Sequence, residues 1–149
     1  METKTATTVK DLIVINNDRY EGYKTAAGET KEADLKTMFS EFSEQSKGFA
    51  EELRKFVPAG EDQPKRDETK TSGKLYRAWM DLRAAVTGKD RKQILSSCEM
   101  GEDVAKKHYE EAASNSSDVS SDAMQVIQRQ KAEIVKAHDR VKKMRDSVK

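Results

Sequence analysis

Apolar side chains in this chain recur in alternating steps of four and three, the spacing that sets them on one stripe of an α-helix packed against other helices. The first stripe holds Val9, Ile13, Asn16, Tyr20, Tyr23 and Ala27, with Thr7 or Thr8 as its cap. The second holds Leu35, Phe39, Phe42, Ser46, Phe49, Leu53 and Phe56; it begins after Thr30 and stops before Pro58. A third holds Ile94, Cys98, Gly101, Ala105, His108 and Ala112, and runs into the polar stretch Ser114 to Ser117, which reads as a turn and cap. The fourth holds Ala123, Ile127, Gln130, Ile134, Ala137, Val141, Met144 and Val148. Each stripe can be buried only against the others, so together they predict an all-α antiparallel four-helix bundle.

The connections set the expected topology. Gly28 to Thr30 and the neighbourhood of Asn115 are short links, which make the first and last helix pairs antiparallel hairpins. The middle link, about residues 58–89, is long. It opens with Pro58 to Gly73 and continues with Leu75, Tyr76, Trp79, Leu82 and Val86 at helical spacing, ending at Gly88. A short helix rising about 1.5 Å per residue, with its leader, traverses a bundle. The third long helix then starts at the same end as the second. Trp79 and Tyr76 are expected to anchor this crossover helix, and Gly101 and Ala105 to receive the phenylalanines of the second helix.

Composition fits long helices with narrow apolar stripes: 149 residues, 35% hydrophobic and 37% charged, with only 2 Pro and 7 Gly. That length accommodates one domain, residues 1–149. The formal net charge is +1. Near-neutrality, spread along the chain, argues against nucleic acid and an anionic membrane surface as partners. The longest apolar run, Leu12 to Ile15, falls far short of the roughly 20 residues that span a bilayer. Nothing near Met1 reads as an export signal, and the lone Cys98 suits a reducing cytoplasm. Homo-oligomers formed through helix faces fit the pattern; the protein partner is not legible.

Asn16, Ser46, Gly101 and Gln130 interrupt the four stripes at similar heights, which predicts a buried polar layer at mid-bundle, with Asn16, Ser46 and Gln130 fixing register. Carboxylate bundles hold two metal ions at this level, using Glu from two helices and Glu-x-x-His from the other two. Here the residue three before His108 is Ala105, and the residue three before His138 is Val135. Amides, a hydroxyl and a glycine are poor iron ligands. The metal candidates are Glu21, Glu102 and His138, with Glu99 beside them at the edge of the stripe, and iron or manganese as the ion. Neither histidine has a nucleophile context around it, Gly-x-Ser-x-Gly is absent, and no catalytic residue is assigned.

Ile15-Asn16-Asn17-Asp18, Glu21-Gly22-Tyr23-Lys24, Trp79-Met80-Asp81-Leu82, Cys98-Glu99-Met100-Gly101-Glu102-Asp103, Tyr109-Glu110-Glu111-Ala112 and Ala137-His138-Asp139-Arg140-Val141 resemble segments of an uncharacterised bacterial family of ferritin-like four-helix-bundle proteins, a domain of unknown function. The resemblance runs from about Thr8 to Asp146. It implies a ferritin-like fold and a bacterial source, and carries over no metal ligands. The functional expectation is a non-enzymatic helical-bundle protein without cofactor, in a structural or stress-related role. The alternative is a divergent ferritin-like protein binding iron or manganese.

Overall fold

The structure is a computed structural model that describes residues 4–57, 74–88, 90–114 and 117–148, with the side chains of 74–76 left aside. Among the described residues, five helices form in the order α1 (Lys4–Glu29), α2 (Ala33–Arg54), α3 (Lys74–Gly88), α4 (Arg91–Ser114) and α5 (Ser121–Asp146), and there is no strand. The stretch Pro58 to Gly73 and the side chains of Leu75 and Tyr76 lie outside the described residues.

The helix ends differ in detail from the expected caps. Thr7 and Thr8 lie inside α1, which is already helical at Lys4. Glu32 precedes α2 without a side-chain cap; the Thr30 hydroxyl instead accepts from the Glu32 amide at 3.2 Å. The cap of α5 is Ser120, whose hydroxyl accepts from the Ala123 amide at 3.3 Å, with Asp122 in the first turn. Both satisfy a donor that the helix start leaves without an intrahelical partner. The α4–α5 turn is therefore longer than the polar stretch Ser114 to Ser117 implied.

Cross-helix pairs fix the directions. Along α1 and α4, Asp11 meets His108, Asn16 meets Tyr109, Arg19 meets Glu102 and Tyr23 meets Cys98, so these two helices are antiparallel. Along α2 and α5, Glu41 meets Arg140 and Glu52 meets Arg129, again antiparallel. Arg91 at the start of α4 reaches Glu32 at 2.7 Å and Asp34 at 2.8 Å, at the start of α2, so α2 and α4 begin at the same end. The two hairpins, α1 with α2 and α4 with α5, thus face each other to make the bundle. As expected, α3 belongs to the crossover, and it packs on α1 and α4.

One apolar cluster draws on all five helices. Nearly every stripe residue is buried; Tyr20, Phe56, His108, Met144 and Val148 are half-buried. A second set on α1 and α4 is also enclosed: Leu12, Ile15 and Arg19 on α1, and Leu95, Glu102 and Tyr109 on α4, each 0% exposed. Helices α1 and α4 have a third neighbour in α3, and Arg19, Glu102 and Tyr109 turn into the bundle interior. Trp79 of α3 makes the closest fit. A Cβ built on Gly22 would stand 2.6 Å from the indole, and one on Gly101 would stand 3.2 Å from it. Gly101 therefore admits Trp79, not the phenylalanines of α2.

Candidate functional site

Among the described residues, the bundle interior carries two neighbouring polar constellations. In one, the Asn16 amide donates to the Tyr109 hydroxyl at 2.8 Å, and Tyr109 donates to Gln130 Oε1 at 2.6 Å. The Gln130 amide group in turn donates to Glu52 at 2.9 Å and to the Phe49 carbonyl at 3.3 Å. Asn16 and Gln130 are thus joined through Tyr109, where Gly101 had been expected opposite Gln130. Tyr109 lies about two turns beyond Gly101 along α4.

In the other, the Arg19 guanidinium donates to Glu102 Oε1 at 2.6 Å and to the Ser46 hydroxyl at 2.9 Å, and both ionic side chains are 0% exposed. The Tyr23 hydroxyl donates to the same carboxylate oxygen at 2.5 Å and stands 3.2 Å from Cys98 Sγ. Aromatic rings wall this site: Tyr23 stacks near Phe39 and meets Phe42 and Trp79 edge-on, while Arg19 lies over the Tyr23 and Phe42 rings. Burial alone would pull the Arg19 guanidinium down, but the charge of Glu102 and the hydrogen bond to it outweigh burial and hold its pKa above the ordinary arginine value. Burial pushes the Tyr23 and Tyr109 hydroxyls up and the Cys98 thiol up. All three stay neutral at physiological pH, as hydrogen-bonding groups rather than nucleophiles. Asn16, Ser46 and Gln130 are all 0% exposed, with Ser46 bound to the arginine and Asn16 and Gln130 joined through Tyr109.

The three sequence-derived metal candidates are not gathered. Glu21 is exposed on α1, lining a surface groove with Lys24, Lys47 and Arg54 of the α1–α2 hairpin. Glu102 is committed to Arg19 and Tyr23 in the core. His138 lies on α5, 8% exposed, with Nε2 2.7 Å from Asp103 and 3.9 Å from Glu99, both on α4. Its Nδ1 is 3.0 Å from the Asp139 carboxylate. Arg145 holds the second oxygen of Glu99. Sequence reasoning missed Asp103 and Arg19. The signal for the first was the four-residue step from Glu99 to Asp103, which puts both carboxylates on one face of α4. His108 is half-buried against Asp11, Nδ1 to Oδ2 3.0 Å, a pairing within the α1–α4 contact.

Among the described residues, no helix is long and apolar enough to cross a membrane. No curated protein matches the chain. The family model described as a domain of unknown function (DUF2383) matches residues 4–115, the span of α1 through α4, and the chain belongs to that family.

Proposed function

We propose that the protein is a ferritin-like bundle of bacterial, cytoplasmic type that works without catalysis, through its surface, in a structural or stress-related role. The observation that carries this reading is the guanidinium of Arg19 at the bundle interior, ion-paired with Glu102 and 0% exposed. A di-metal centre in such a fold needs carboxylates and imidazoles from four helices converging on one volume. In this chain the charge that balances the buried carboxylate is a side chain. The partners around it are Ser46, Tyr23 and Gln45, and the neighbouring constellation is built from Asn16, Tyr109 and Gln130. These residues do not fit a di-iron group. The tyrosines and the cysteine beside it are held neutral by burial, which gives neither a general base nor a thiolate.

The outer faces fit a protein that acts by contact. Charges of both signs coat them, and Met80 on α3 and Met100 on α4 are large apolar side chains at 43% and 54% exposure. Association of copies through helix faces is part of this reading.

The test is iron-dependent oxygen chemistry. Protein purified without chelator and supplied with ferrous iron should oxidise it no faster than the buffer does. Two irons per chain with oxygen-dependent turnover would overturn the proposal.

A further inference from the structure

We infer that Glu99, Asp103 and His138 form a mononuclear site for a divalent first-row transition-metal ion on the α4–α5 face. This goes beyond the non-catalytic reading and does not depend on it. One ligand atom from each of the three side chains lies within 4.8 Å of the other two. Atoms bound tetrahedrally at about 2.0–2.2 Å stand about 3.4 Å apart. The 2.7 Å gap from His138 Nε2 to Asp103 and the 3.9 Å gap to Glu99 bracket that spacing, so shifts of about 0.5–0.7 Å bring both carboxylates to ligand spacing from the imidazole. Asp103 is 47% exposed and free to make its part of the adjustment, while leaving an open side for water.

The surroundings also have the form of a ligand shell. Metal-bound histidines are held by a partner on the other ring nitrogen, and metal-bound carboxylates by a donor on the other oxygen. Here Asp139 sits 3.0 Å from His138 Nδ1, while Nε2 faces Glu99 and Asp103. Arg145 pairs with Glu99 Oε2, leaving Oε1 facing the imidazole. The ring itself is held in place by burial, 8% exposed. Negative charge dominates the spot: Glu99, Asp103 and Asp139 surround the ring, and Asp146 lies 3.0 Å from the guanidinium of Arg145.

The donor set selects the ion. One imidazole with two carboxylates suits Zn, Co, Ni, Mn or Fe in the divalent state, whereas Ca and Mg take oxygen ligands alone. The site differs from a di-iron centre in place and in membership, since α1 and α2 contribute nothing to it.

Full-length protein without a histidine tag would be titrated with zinc by calorimetry and with cobalt by visible absorption. One equivalent of each should bind saturably, with magnesium and calcium failing to compete at a hundredfold excess. His138→Ala and Asp103→Asn should each weaken binding at least about tenfold, and Asp139→Asn by about tenfold through loss of the ring's orienting partner. Asp103 lies at the surface, so its variant should keep the helical circular dichroism of the parent. His108→Ala, which removes the other histidine, should leave the titration unchanged. Absence of a one-equivalent transition, or wild-type affinity in both His138→Ala and Asp103→Asn, overturns the inference. That result would leave the non-catalytic reading standing, while iron turnover would overturn that reading and leave this site untouched.

Discussion

The Arg19–Glu102 pair is the strongest single commitment in the core, and removing one partner tests it. Both groups are 0% exposed and 2.6 Å apart. In Arg19→Met, Glu102 keeps only the Tyr23 hydroxyl as a donor among the bonds described, and its charge stays buried. In Glu102→Leu, the guanidinium charge is left with neutral partners, Ser46 and Gln45. Breaking a buried pair in this way costs about 3–5 kcal/mol. Ser46 adds little, since its hydroxyl also donates to the Phe42 carbonyl at 2.8 Å. A domain of this size has roughly 5–15 kcal/mol to lose, so either variant should drop Tm by roughly 6–20 °C. The double variant Arg19→Met, Glu102→Leu removes both charges together. It leaves Tyr23 without its carboxylate acceptor, a cost of about 1–2 kcal/mol, so its stability should lie within about 2 kcal/mol of wild type. Urea unfolding followed by helical circular dichroism, with m held constant, gives all four corners of the cycle. Single variants that lose less than about 1 kcal/mol, or a double variant as unstable as the two losses added, would refute the reasoning.

Other expectations follow from specific contacts. Gly22→Ala places a methyl 2.6 Å from the Trp79 ring, so it should destabilise by about 1–3 kcal/mol despite alanine's better helix propensity, and shift tryptophan fluorescence. Gly48→Ala on the exposed side of α2, where a Cβ meets nothing within 4 Å, should instead stabilise by about 0.5–1 kcal/mol in the same urea assay. Cys98 is 0% exposed and burial pushes its thiol up, so at pH 8 a thiol reagent should label it only as fast as the protein opens, and promptly in urea. The hydrogen bond from Arg91 holds the Asp34 carboxyl below the ordinary aspartate value. Its contribution is therefore present above about pH 4 and is lost as pH falls through the lowered value, and Asp34→Asn should remove a small part of the acid dependence of stability.

How far the fold was legible follows from particular residues. The steps of four and three in α2 and α5 describe their buried faces well, because each of these helices faces the bundle through one stripe. On α1 the same steps run equally well through Leu12, Asn16, Arg19 and Tyr23, and on α4 through Leu95, Cys98, Glu102, Ala105 and Tyr109. A reading that follows apolar residues chooses Tyr20 over Arg19 and leaves Glu102 at an edge. Tyr20 is half-buried, whereas Arg19 is fully enclosed. An arginine at a seam position reads as a surface residue until its carboxylate, far off in sequence, is brought beside it.

The sequence by itself determined that the chain makes long helices, where they lie, how the hairpins pair and that the polar residues Asn16, Ser46 and Gln130 are interior. Those are matters of local periodicity and short connections, which act between near neighbours in the chain. Only the tertiary structure decided that α3 covers α1 and α4, that Trp79 fills the notches at Gly22 and Gly101, that Arg19 meets Glu102, and that His138 faces Glu99 and Asp103 rather than Glu21 and Glu102. Each of these depends on the height at which one helix slides past another, set by turn length and side-chain fit; a pattern that repeats every turn accepts several registers, and packing chooses one.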